Sequence, residues 1–413
     1  MNQLTTPIIF ILKTNKIIEP FISPIQQIKI GHRSLQEIQE STLKSLGFKF
    51  QYINDQNQIS SASQSCLVIH DNVLFSKRLI LSFLKKARKN NAVSQCYTIK
   101  SIFSWCYSDN DSQNFNPVGI YYVPMGMSIH DGLGRVEIIP EVPVSDPLML
   151  PIPIFNKKDV RLNLPLDYAI DIDLWPDVLL ANSLICRQLC LDGLKYFSWI
   201  VKRSPFFQEI VLSPRVAGMI NKVGRHSKIH PTASLEGCVI GDKVRIGAYC
   251  RLRASCIGNN VSIADGTSIN LSSIGDNSYI SRTRMYNCSI GQGSMLMIEN
   301  INCCIVGNGS FVPATSTMLD LNLTRTNISI LVDGKRIETP YFLLGCCIGD
   351  DVMIGTNLTF GSGLIIPHGS YFVSGSLVNK IPMSENGFYV QKSEGLAKLP
   401  KSLLRFNSET TKL

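Results

Sequence analysis

Over residues 229–312 aliphatic side chains fall six apart: Ile240, Ile246 and Leu252, then Ile257, Ile263 and Ile269, then Ile274 and Ile280. A small or polar pair follows the first of each set, as in Ile240-Gly241-Asp242, Ile257-Gly258-Asn259, Ile274-Gly275-Asp276, Ile290-Gly291-Gln292 and Val306-Gly307-Asn308. Units therefore begin at 240, 257, 274, 290 and 306, with steps of 17, 17, 16 and 16. A period of six fits neither a helix nor a single strand. It fits the three short sides of a triangular coil, each side sending one aliphatic residue into a narrow interior. Hexapeptide repeats of this kind predict a parallel β-helix. The Gly or Asn after each aliphatic residue is expected at the corner, where a positive φ costs little. The rhythm stops after Phe311-Val312-Pro313 and resumes at Cys347-Ile348-Gly349-Asp350, continuing to Ile365-Ile366-Pro367. In the gap, Asp333-Gly334 lies between two alternating runs and predicts a hairpin.

The first half of the chain has a different pattern. Residues 7–12 are a continuous apolar run, which suits a buried parallel strand. Ser34–Leu46 has helical spacing, with Leu35, Ile38, Leu43 and Leu46, a capping Ser34 and a terminating Gly47. Ser65–Ile69 predicts a second strand, and Ser76 caps a helix to about Lys89 with Leu79, Ile80, Phe83 and Leu84 inside. Strand and helix alternating in this way predict an α/β sheet of the doubly wound sort. Strand candidates follow over 95–150, Tyr121-Tyr122-Val123 being the clearest, and Pro140 to Pro153 mark loops. Residues 177–202 read as a helix that packs between two domains, with Asp177 in its first turn and an apolar surface from Leu179 to Leu191.

Composition narrows the function classes. Forty basic and 31 acidic residues give a net charge of +9, but the charges are scattered, which fits general lysine richness or a surface for anionic small molecules better than nucleic acid. Thirteen cysteines without metal-like spacing point to reduced thiols and a cytoplasmic protein. No signal peptide is visible at the N-terminus, and no run reaches the roughly 20 apolar residues of a membrane span, so no membrane partner is expected.

The Ile-Gly-x-x-x-x rhythm resembles the left-handed β-helix of the hexapeptide-repeat transferases. The first half weakly resembles a sugar-1-phosphate nucleotidyltransferase domain. Phe21-Ile22-Ser23-Pro24-Ile25 is similar to that family's approach to its conserved lysine. The helix ending in Leu46-Gly47-Phe48 resembles its first helix, and Ile69-His70-Asp71-Asn72-Val73 resembles the strand end that holds its metal-binding aspartate. Asp71 is thus the candidate Mg²⁺ ligand, with a plain turn aspartate as the alternative. The chain departs from that family after the first strand. Lys13-Thr14-Asn15-Lys16-Ile17 stands where a Gly-rich phosphate loop is expected, so nucleotidyl transfer looks lost. The whole plan resembles bifunctional sugar-1-phosphate nucleotidyltransferase/acetyltransferases, and more closely a group of bacterial proteins with a degenerate first domain. The expected fold is therefore an α/β domain over 1–176, a helical connector over 177–222, a left-handed β-helix over 223–380 with an insertion at about 314–345, and a tail over 381–413. The resemblance also implies a homotrimer, and acetyl-CoA as donor.

Candidate site residues lie on the repeat and its insertion. Asp320, Asn322 and Arg325 give the insertion polar chemistry and could wall an acceptor site, or form a surface pair. Arg251 with Arg253, and Arg282 with Arg284, are read as sharing sides of strands about two coils apart. They are either solvated charge or a face for a sugar phosphate or the phosphates of coenzyme A. Acetyl transfer needs a general base, usually a coil histidine in that family. None of the six histidines lies between 231 and 367. His230 reads as structural, and His368 occupies a late corner. Two functions remain: a transferase acting on a sugar phosphate or nucleotide sugar, or a catalytically inactive nucleotide-sugar binder or scaffold.

Overall fold

The computed structural model describes residues 7–59, 64–90, 92–99, 115–139, 152–154, 157–160, 167–194, 221–322, 326–374, 377–378, 388–392 and 395–399. The prolines over 140–151 and the reading of residues 195–220 lie outside that set.

The N-terminal part is a six-stranded sheet. Its strands are β1 (Ile8–Leu12), β2 (Phe50–Ile53), β3 (Cys66–His70), β5 (Ser94–Ile99), β6 (Phe115–Val123) and β7 (Gly134–Ile138), in the spatial order β2-β1-β3-β6-β5-β7. A short strand β4 (Val73–Phe75) pairs outside this sheet with β8 (Ala169–Asp171). The run over 7–12 is parallel to both neighbours, as its unbroken apolar sequence predicts. Only β6 runs against the rest, antiparallel to both β3 and β5. Helix α1 (Leu35–Ser45) starts in a full capping box: Ser34 Oγ accepts from the Glu37 N–H, and the Glu37 carboxylate accepts from the Ser34 N–H. Helix α2 (Lys77–Asn90) is capped by Ser76, whose Oγ accepts from the Leu79 N–H.

Leu43 of α1 and Leu79, Ile80, Phe83 and Leu84 of α2 share one core with Ile9, Ile11, Leu67 and Ile69. The alternate side chains Phe10 and Val68 meet Ile59, Val93 and Met127 on the other face. Among the described residues no α-helix contributes to that second core. In the segment between β2 and β3 the described residues form a 3₁₀ turn, Gln56–Ile59, whose Ile59 packs on this face.

From Lys222 the chain winds into a parallel β-helix of three faces. The first face stacks Val239–Ile240, Cys256–Ile257, Ser273–Ile274, Ser289–Ile290, Ile305–Val306, Cys347–Ile348 and Ile365–Ile366. The second begins at Lys228–Ile229 and the third at Ser234–Glu236. The residues spaced by six are the inward ones, and Ile240, Ile246, Leu252 and their repeats form one buried column. Burial of each such side chain contributes about 1.5–3 kcal/mol.

The repeat glycines act differently from expectation. Gly241, Gly258, Gly275, Gly291 and Gly307 do not have positive φ; Lys243, Asn260, Asn277, Gly293 and Gly309, two positions on, do. What the glycines allow is close stacking: a Cβ on Gly275 would lie 2.5 Å from the Gln292 nitrogen. The following side chain then ties one coil to the one below. Asn259 Oδ1 accepts from the Asp242 N–H, Asp276 Oδ1 from the Asn259 N–H, and Asp350 Oδ1 from the Asn308 N–H. Aliphatic, glycine and Asp/Asn thus form one functional phrase, in which core, clearance and ladder occupy consecutive positions.

Helix α3 (Trp175–Leu194) joins the two parts. It begins two residues before the expected Asp177, whose carboxylate caps it from the Asp173 and Leu174 N–H groups. Its residues Leu179, Leu184 and Ile185 share a core with Ile25, Ile30 and Leu35 on one side and with Cys256, Leu271 and Ile305 of the solenoid on the other. Asn182 is the central link: its Oδ1 accepts from the Gly31 N–H at 2.9 Å and its Nδ2 donates to the Cys288 carbonyl at 3.2 Å. Ser183 donates to Asn287 beside it.

The coil continues through Thr317–Met318, which pairs with Thr359–Phe360, so the insertion starts later than Pro313. The hairpin Ser329–Val332/Lys335–Glu338 turns at Asp333 and Gly334, with φ of 48° and 72° as a type I′ turn requires. Beyond the last coil the tail is patterned after all: Phe388–Lys392 pairs parallel with Tyr371–Ser374, and Gly395–Leu399 pairs back on it. Among the described residues no helix is long and apolar enough to cross a membrane.

Candidate functional site

The third face of the solenoid presents two outward columns, because strand alternation sends the middle residue of each triplet inward. One column is Ser234, Arg251, Ser268, Arg284 and Asn300, in register from coil to coil. Arg251, Arg284 and Asn300 are exposed and Ser268 is half-buried. Two strand spacings separate the arginines, about 10 Å at their roots. The other column is Glu236, Arg253, Asn270, Tyr286 and Asn302, and it is already engaged by the fold. Arg253 Nε donates to Glu236 Oε2 at 2.6 Å, both buried. Tyr286 packs on the core around α3, and Asn302 Nδ2 donates to Asp320 Oδ2 at 3.1 Å.

The structure therefore separates residues that the sequence grouped. Arg251 and Arg284 form one exposed row, whereas Arg253 is consumed by a buried ion pair. Arg282 is exposed but sits at a corner with φ of 52°, before the strand Arg284–Tyr286, so it does not share a strand side with Arg284.

The insertion is packed down onto the fold. Ile328, Ile330, Phe342 and Leu344 are buried in the α3 core. Asp320 accepts from Asn302, and burial raises its carboxyl above the usual range. Asn322 Oδ1 accepts from Ser362 Oγ at 2.9 Å, and its Nδ2 donates to the Asn327 carbonyl at 3.2 Å. These two residues fasten the insertion to the coil. Arg325 lies outside the described residues.

Asp71 sits at the C-terminal end of β3, where open α/β sheets bind ligands. Its carboxylate is buried and engaged on both oxygens. Oδ1 accepts from the Thr14 N–H at 3.0 Å and the Thr14 hydroxyl at 2.6 Å, and Oδ2 accepts from Gln26. Among the described residues no group of three or more His, Cys, Asp or Glu could hold a metal ion. With both oxygens so engaged, Asp71 holds the segment after β1 to the sheet. Beside it lie residues that sequence reasoning missed. Lys16 Nζ meets Asp173 Oδ1 at 2.5 Å, and Asn72 Nδ2 donates to the same oxygen at 3.0 Å. Asn72 Oδ1 and His70 Nε2 are buried without hydrogen-bond partners among the described residues, and burial lowers the His70 pKa. Lys16 and Asp173 stand far apart in sequence, so no local motif marks their meeting.

The corner histidines take the places expected of them. His230 Nδ1 meets Thr232 Oγ1 at 2.9 Å in the first coil, a turn-stabilising contact. His368 is near Asp350, whose carboxyl burial raises.

A family model described as GlmU-like, C-terminal hexapeptide, matches residues 217–286. The Bifunctional protein GlmU of Bartonella quintana (strain Toulouse) is 26% identical over 256 residues, covering 58% of this chain and 49% of that protein. Its counterpart from Acinetobacter baumannii (strain AYE) is 26% identical over 191 residues, covering 43% and 40%. The chain thus spans about half, or less, of the length of these curated relatives. Among solved structures, the polysialic acid O-acetyltransferase OatWY aligns with a TM-score of 0.19 at 19% identity, covering 43% of this chain and 87% of that one.

Proposed function

We propose that the protein is a sugar-related transferase of the β-helix type, acting on a sugar phosphate or nucleotide sugar held along Arg251, Ser268, Arg284 and Asn300. The observation that carries this is the exposed, in-register arginine row. Two long guanidinium side chains rooted about 10 Å apart can converge on one phosphate or straddle two. Hydroxyl and amide groups in the same row suit a sugar. The similarity to GlmU proteins supports the same class. Acetyl-CoA is the donor we propose: it would supply an acetyl thioester, with its phosphates on one arginine of the row while the other holds the acceptor.

An apolar stripe on the second face supports a homotrimer. Tyr279, Met295, Phe311, Met353 and Tyr371 are in register there, and Tyr279, Met295 and Met353 are exposed. Eleven described cysteines are free and buried, which supports a reducing, cytoplasmic setting.

A second reading, an inactive nucleotide-sugar binder, is favoured by the lack of any histidine between residues 231 and 367. One experiment addresses both. The protein is incubated with acetyl-CoA and a panel of sugar phosphates and nucleotide sugars, following thiol release and the thermal midpoint. Thiol release abolished in Arg251→Gln/Arg284→Gln supports the transferase. A midpoint rise with a nucleotide sugar and no thiol release supports the binder. A double variant that keeps all binding and turnover rejects the arginine row.

A further inference from the structure

A cleft of about 740 Å³ lies where α1, the start of α2, α3 and the first face of the solenoid meet. That size is ordinary for a small-molecule site, about 300–1,000 Å³. Among the described residues its charges are of one sign: His32, Arg33, Lys77, Arg78 and Lys222 line it, and no acidic side chain does. Arg78 is paired with Asp167 at 3.4 Å. The others have no acidic partner among the described residues. Arg33 Nη1 donates to Ser41 Oγ at 3.2 Å, while its Nε is buried with no hydrogen-bond partner among the described residues. A buried guanidinium N–H left without an acceptor is costly, and a bound anion would satisfy it. Ser76, Lys77 and Arg78 bring the first turn of the 14-residue helix α2 to the same cleft, adding its positive end. The rest of the wall is apolar and partly aromatic, with Phe75, Tyr168 and Ile185.

We propose that this cleft binds an organic phosphate, with one or two phosphate groups on Arg33, Lys77 and Lys222 and a ring against Phe75 and Tyr168. The site is separate from the arginine row, which lies on the third face of the solenoid. It touches both halves of the molecule, so its ligand would tie the α/β sheet to the first coil.

The test is calorimetric titration of the full chain with ADP, UDP and inorganic pyrophosphate at low salt. ADP or UDP should bind saturably and at least about tenfold more tightly than pyrophosphate, because only a nucleoside fills the apolar wall. Lys77→Gln should weaken binding about tenfold or more, and Arg33→Gln further. Binding at the cleft is read as the part of the isotherm that Lys77→Gln weakens, and Arg251→Gln/Arg284→Gln should leave the affinity of that part within about twofold. Lys77 is exposed, so that variant carries the test if Arg33→Gln fails to fold. No saturable binding by the wild-type chain overturns the proposal, as does unchanged affinity in Lys77→Gln. Pyrophosphate binding as tightly as the nucleotides overturns the organic part of the ligand, and loss confined to the Arg251/Arg284 variant moves the site to the solenoid.

Discussion

The α/β sheet and the solenoid use their polar residues in opposite ways. In the solenoid a repeated set of side chains satisfies the backbone: Asp242, Asn259, Asp276, Asn308 and Asp350 each serve as a rung between neighbouring coils. That leaves the outward columns free of structural duty wherever nothing packs on them, as at Arg251 and Arg284. In the sheet the polar residues at the strand ends are single and specific. Asp71 ties together Thr14, Gln26 and the end of β1 through bonds that do not repeat among the described residues. A repeat can lose or gain an outward side chain cheaply, whereas a strand end built this way has its carboxylate already committed. The face of the solenoid is therefore the better place to look for a ligand.

That contrast can be broken most sharply at the third face itself. Arg253→Ala should leave Glu236 buried and unpaired and cost about 3–5 kcal/mol, whereas Arg251→Ala, one strand position pair away, should change stability by less than about 0.5 kcal/mol. Urea denaturation of both variants checks this, and equal costs would mean that the two columns are not distinct. Next in size, Ile274→Ala removes one member of the inward stack and should cost about 2–5 kcal/mol. Asn182→Ala should cost about 1–3 kcal/mol by orphaning the Gly31 N–H and the Cys288 carbonyl. Its hydrogen exchange should rise at the junction before either half opens; uniform exchange across the chain would refute the idea that Asn182 couples the halves. Smallest is Asp320→Asn. Because burial raises the Asp320 pKa in the folded state, the native state holds that proton more tightly than the unfolded one. The resulting stability is present below the unfolded carboxyl pKa and lost as pH rises through the folded one. The variant should flatten the stability profile across that acid range, and an unchanged profile would mean Asp320 contributes no such linkage.

Much of this fold was legible because its information is local. The inward column needs only a residue every six positions, and the capping box of α1 needs only Ser34 and Glu37. The I′ hairpin needs only Asp333-Gly334. The candidate site was legible in kind but not in arrangement. Arg251 and Arg253 are alike in sequence and face outward on the same strand, yet one meets water and the other meets Glu236, 17 residues away on the neighbouring coil. The glycines show the same limit: their presence was plain, but their reason is the approach of the next coil and not their own φ.

The sequence by itself determined the period, the triangular cross-section, the hairpin and the division into two unlike halves, because each follows from contacts within a few residues or one repeat. Only the tertiary structure decided what each polar residue is for. It buried Arg253, satisfied Asp71 and folded the insertion onto α3. It also left Arg33 with an unmet N–H in a cationic cleft. Such outcomes depend on which distant segment arrives alongside, and burial changes the free energy of a charge far more than its identity does.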